Sequence, residues 1–100
     1  MDYGFDAGGD CLTVVLDGRM THADYKGFRE ILARVNQDKP GKVRFDLSKV
    51  SFVDSSALGM LLIVRDAAVE AQRDVILKGA SGQVETLINV GKLHKYFTIE

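Results

Sequence analysis

Asp54, Ser55 and Ser56 stand in a row directly before Ala57-Leu58-Gly59-Met60-Leu61-Leu62. Short polar side chains running into an apolar stretch mark a loop that turns into a buried helix, so three reactive side chains crowd one helix N-terminus. Such an end carries unpaired backbone N–H groups and the positive end of the helix dipole. It favours a carboxylate, a capping hydroxyl or a phosphate. A cap needs one short polar residue, and neither serine has Glu or Gln three residues later to complete a capping box, so two readings stand: a helix cap alone, or a cap with a hydroxyl left for chemistry. His22, Asp54 and Ser55 have the residue types of a hydrolase triad. However, the serine lacks a Gly-x-Ser-x-Gly elbow, and nothing in the sequence places His22 or His94 beside it. Gly79-Ala80-Ser81-Gly82 lacks the Lys-Ser/Thr ending of a phosphate loop and reads as a turn. Cys11 has no partner for an internal disulfide, and no Cys/His cluster has metal-ligand spacing. No catalysis, metal or cofactor is expected; a serine presented at a helix N-terminus between carboxylates fits a protein-protein switch.

The elements that hold this serine follow from hydrophobic patterning. Tyr3 to Phe5 reads as a short edge strand that turns at Gly8-Gly9-Asp10, and Cys11 to Leu16 as the returning strand, ending at Asp17-Gly18. Thr21 with Asp24 forms a capping-box-like start to a helix whose apolar stripe is Tyr25, Phe28, Ile31, Leu32 and Val35. Pro40-Gly41 stops it. Lys42 to Leu47 alternates as a strand with Asp46 at its carboxyl end, and the central helix runs from Ser55 or Ser56 to Gln72. That helix is apolar on nearly every side. We expect Leu58, Leu61, Leu62 and Val69 in the core and Met60, Ile63 or both at an interface. Asp74 to Gly79 is a buried strand, Ser81 caps a helix over Gln83 to Asn89, Leu93 to Tyr96 is a turn, and Phe97 to Ile99 is a last edge strand. Strands alternating with helices over 100 residues predict a single α/β domain, a mixed sheet with helices packed on it.

Composition sets outer bounds. The chain is 46% hydrophobic and 27% charged with a formal net charge of −1, so it offers no basic field for nucleic acid. No run of 18 apolar residues is present for membrane insertion, and Met1 to Asp6 lacks a basic segment and a signal core, which predicts a cytoplasmic protein.

Asp46-Leu47-Ser48, Val50-Ser51-Phe52-Val53 and Asp54-Ser55-Ser56-Ala57-Leu58-Gly59 together resemble the signature of STAS domains, and are most similar to the free-standing bacterial anti-sigma-factor antagonists. The resemblance covers nearly the whole chain and implies a STAS-type single domain over residues 1–100, with helices chiefly on one face of a mixed sheet. It implies phosphorylation of Ser55 by a partner kinase, with Asp54, Ser56 and Asp46 supporting the site and Ser56 serving the helix start. The unphosphorylated chain would bind an anti-sigma factor or a serine kinase, and a serine phosphatase of the metal-dependent class would reset it. The expected partner surface is the start of the central helix with its nearby loops: Thr21, His22, Ser48, Met60 and Ile63. Ala57 stands where many relatives have glycine, and Thr21 where several have an acidic residue after the second strand. The alternative is a STAS regulatory subunit docked on a membrane transporter.

Overall fold

The computed structural model describes residues 1–100. Strand β1 (Asp2–Gly8) turns back antiparallel into β2 (Cys11–Met20), and a 3₁₀ turn at His22–Asp24 leads into helix α1 (Tyr25–Asp38). Then follow β3 (Lys42–Val53), α2 (Ser55–Glu70), β4 (Asp74–Lys78), α3 (Gly82–Val90), a 3₁₀ turn at Leu93–Lys95 and β5 (Thr98–Ile99). The sheet order is β1-β2-β3-β4-β5, parallel from β2 onwards. Strands added in one direction through right-handed crossovers put every crossover helix on the same face. Accordingly, the inward residues of β2, β3 and β4 share one core cluster with residues of all three helices, among them Phe28, Ile31, Leu61, Val64, Val84 and Ile88.

Alternation decides which sheet face is covered. Leu12, Val14 and Leu16 of β2 and Val43, Phe45 and Leu47 of β3 are buried, while Thr13, Val15, Arg44 and Asp46 between them are only half-buried on the other face. Several boundaries depart from the sequence-based expectation. β1 extends to both sides of Tyr3–Phe5, and β2 does not end at Asp17-Gly18. It bends there, with Gly18 at φ 94° and register shifts against β3, and continues to Met20. β3 runs past Leu47 to Val53 because β2 stays alongside it and Val50 and Val53 still point into the core. The Thr21–Asp24 capping box is present, but it caps the 3₁₀ turn rather than α1 itself.

Helix α2 corrects the expected core. Ala57, Met60, Leu61, Val64 and Ala68 are its buried row, at the three- and four-residue spacing of one helix face. Leu61 lies there as expected, but Met60 is only 8% exposed, Leu58 and Leu62 are half-buried, and Val69 is 45% exposed. Ile63, at 55% exposure, is the member of the Met60/Ile63 pair that reaches the surface. Ser81 occupies the N-cap of α3, yet its side chain makes no capping hydrogen bond.

Candidate functional site at the start of helix α2

Loops from three parallel strands meet at their carboxyl ends, the side on which open α/β sheets place their sites. Asp54 joins them. It leaves β3 in an extended conformation (φ −103°, ψ 175°), which suits an N-cap, and its Oδ1 accepts from the Ala57 N–H at 2.8 Å. Its Oδ2 accepts from the His22 N–H at 3.1 Å, and its own N–H donates to the Met20 carbonyl at 3.1 Å. One carboxylate therefore staples the end of β2 to the start of α2. The expectation that Ser56 caps this helix is wrong. The residue before the two serines already lies outside the helix with its carboxylate aimed back at the free N–H groups.

Ser55 and Ser56 are the first two residues of α2, both are exposed, and neither hydroxyl takes part in a hydrogen bond within the chain. His22 Nδ1 lies 3.6 Å from Asp54 Oδ2 with its ring in solvent, and no hydrogen bond links either residue to Ser55. A nucleophile must touch its base, so the pieces of a triad are near each other without forming one. Thr21 uses its hydroxyl to accept from the Ala23 N–H at 3.3 Å, and its own N–H donates to Asp24 Oδ2 at 2.8 Å. Asp46 Oδ1 accepts from the Ser48 hydroxyl at 2.7 Å and the Ser48 N–H at 3.0 Å, so Asp46 shapes the chain at Ser48 and does not bond Ser55. Gly79, at φ 78°, passes so close to Ser48 that an added Cβ would stand 3.0 Å from the serine Cβ. This brings the loop after β4 against Ser48.

Both carboxylates are stronger acids than usual. The Ala57 N–H is the largest cause for Asp54, with the His22 N–H and ring adding to it against partial burial. Hydrogen bonds from the Ser48 hydroxyl and N–H do the same for Asp46, helped by the charges of Lys78 and Lys49 and opposed by burial. For groups whose folded pKa lies below the unfolded one, the stabilisation is complete above the unfolded value near ~3.9 and is lost as pH falls through the folded value. We expect Asp54→Asn to melt below wild type at neutral pH and the two melting curves to converge as the pH drops below about 4. Melting temperatures followed from pH 7 to pH 3 check this.

One residue of the site has no signal in the sequence. β4 pairs with β3 only as far as Asp46, and beyond it the backbone of Val53 is taken up by the side chain of Gln83. Gln83 Oε1 accepts from the Val53 N–H at 3.0 Å, and its Nε2 donates to the Val53 carbonyl at 2.8 Å. The amide at the start of α3 replaces a missing strand one residue before Asp54. Gln83→Ala should cost about 1–3 kcal/mol, since it leaves two backbone groups without partners. Urea unfolding measures the loss, and faster hydrogen exchange at Val53 locates it.

Below the serines, a shallow groove separates α1 from α2, lined by Tyr25, Phe28, Arg29, Leu32, Met60, Ile63 and Val64. Of the residues expected at the partner surface, Thr21 and His22 lie beside Asp54, Ser48 lies on β3, the strand that leads to Asp54, Ile63 stands on the groove rim, and Met60 forms its floor.

No helix is long and apolar enough to cross a membrane. The chain matches the STAS domain family over residues 6–100. It is 32% identical over 93 residues to a STAS-domain containing protein of Pseudomonas aeruginosa (strain UCBPP-PA14), covering 93% of this chain and 91% of that one. Among solved structures, an anti-sigma factor antagonist from Mycobacterium paratuberculosis superposes with a TM-score of 0.86 at 17% identity, covering 98% of this chain and 83% of that one. A sulfate transporter family protein from Wolinella succinogenes gives a TM-score of 0.74 at 14% identity, covering 87% and 71%. At these identities the superpositions establish the fold.

Proposed function

The chain belongs to the STAS domain family, and on that premise we propose that it is an anti-sigma-factor antagonist, a phosphorylation-switched binding module of a bacterial partner-switching pathway. It acts in the cytoplasm as a non-enzymatic partner. Unphosphorylated, it binds an anti-sigma factor or serine kinase; phosphorylation of Ser55 ends that binding, and a serine phosphatase restores it. The observation that carries this reading is the Ser55 hydroxyl itself, exposed and free of internal hydrogen bonds at the N-terminus of α2. A kinase reaches it without unfolding anything. Asp54 supports the site by holding the helix start, Asp46 by holding Ser48, and Ser56 by flanking the acceptor with a second exposed hydroxyl. Thr21, His22, Ser48 and Ile63 form the partner surface, with Met60 beneath it.

The test is phosphopeptide mapping after incubation with a bacterial lysate and Mg-ATP, on wild type and Ser55→Ala. Phosphate on Ser55, absent from the variant, supports the reading, whereas phosphate on Ser56 alone overturns the assignment. The anti-sigma factor antagonist among the structural neighbours favours this reading, and the sulfate transporter family neighbour favours the second one, a regulatory subunit docked on a transporter. In that case no phosphate is expected on either serine.

A further inference from the structure

We propose that the groove between α1 and α2 receives an amphipathic helix of the protein partner, with a carboxylate beside its apolar side that pairs with Arg29. This names the chemistry of the partner at the face assigned to Ile63, and it rests on that assignment. Tyr25, Phe28 and Leu32 form one ridge and Met60, Ile63 and Val64 the other, at the three- and four-residue spacing that aligns side chains along a helix. Two such ridges leave a furrow into which the apolar side of a third helix fits. Tyr25 and Ile63 are 58% and 55% exposed on its rims, so apolar surface is left in water there. Ile63 lies eight residues beyond Ser55, about 12 Å along the helix axis, so a bound helix would also come near the acceptor serine.

Charge selects the occupant. Arg29 is the only charged residue lining the groove, and no carboxylate lies within 4.0 Å of it, whereas Arg34, Arg44 and Arg65 each have one. Its guanidinium rests 5.9 Å from the centre of the Tyr25 ring. Glu30, the next residue, accepts a hydrogen bond from the Tyr3 hydroxyl. An apolar furrow with an unpaired cationic edge favours an acidic amphipathic helix and repels a basic one.

Two synthetic amphipathic helical peptides with the same leucine stripe, one flanked by Glu and one by Lys, test this by NMR titration of the ¹⁵N-labelled chain. The Glu peptide should shift the amides of Tyr25, Arg29, Leu32 and Ile63 and bind roughly tenfold more tightly than the Lys peptide. Arg29→Glu, at an exposed position, should reverse that order. Equal affinities, shifts confined to another surface, or the same shifts produced by raising protein concentration without peptide, which would make a second copy the occupant, each overturn the proposal. The titration needs no phosphate and the phosphate mapping needs no peptide, so either reading can fail alone.

Discussion

Phosphorylated at Ser55, the chain should bind its protein partner roughly a hundredfold more weakly than the unmodified form, equivalent to about 3 kcal/mol, with little change in melting temperature. The fold should be indifferent because the Ser55 hydroxyl makes no internal hydrogen bond that a phosphate would break. What remains is a contest of small electrostatic effects. The dipole of α2 favours a phosphate by about 0.3–1 kcal/mol at an exposed end, while the added charge of roughly −1.5 to −2 is repelled by neighbouring Asp54. Within a complex the balance changes, because the surface that accepted a neutral hydroxyl must now desolvate a dianion with no cation placed to receive it. Titration calorimetry and thermal unfolding on the two forms decide the matter. Equal affinities would remove the switch, and a large fall in melting temperature would show that phosphate acts through the fold.

Leu61→Ala should lower the unfolding free energy by about 2–5 kcal/mol, whereas Ile63→Glu should stay within about 0.5 kcal/mol of wild type and lose partner binding. The two residues are half a turn apart on the same helix. Leu61 is 1% exposed inside the cluster shared with the sheet, so its truncation leaves a cavity, while Ile63 is 55% exposed and its replacement leaves none. Since small domains are stable by only about 5–15 kcal/mol, the first change removes a large share of the margin. Met60→Glu belongs with Leu61→Ala, because it would place a carboxylate at a buried position. Urea unfolding of the three variants separates core from surface; a loss under about 1 kcal/mol for Leu61→Ala would contradict its place in the core.

Much of this arrangement was legible in the residues alone. The alternation of Val43, Phe45 and Leu47, the 3.6-residue stripe of Phe28, Ile31 and Val35, and the breaks at Gly8-Gly9 and Pro40-Gly41 are local signals. Local periodicity determines element type and the face that must be buried. The Asp54-Ser55-Ser56 cluster likewise announced a helix N-terminus, because the residues that cap helices are few and chemically distinct. Which of the three performs the cap was not determined. That depends on whether the residue at the junction is extended or helical, and here β3 delivers Asp54 extended, with its second oxygen drawn to the His22 N–H of another loop.

The orientation of α2 was decided only by the tertiary structure. A helix apolar on nearly every side has no pattern to say which row is inward, so the choice of Met60 and Leu61 over Val69 came from where the sheet and α1 happen to lie. The extent of β2 and β3 was decided in the same way. Each strand continues through residues of weak strand propensity, Asp17-Gly18 in one and Ser48-Lys49 in the other, because the other lies beside it and supplies backbone partners. Gln83 is the clearest case. Nothing in its neighbours marks it, and it acquires a role only because β4 parts from β3 after Asp46 and leaves the Val53 backbone to be satisfied from thirty residues away. A contact across that separation depends on how the whole sheet is assembled, and no local propensity encodes it.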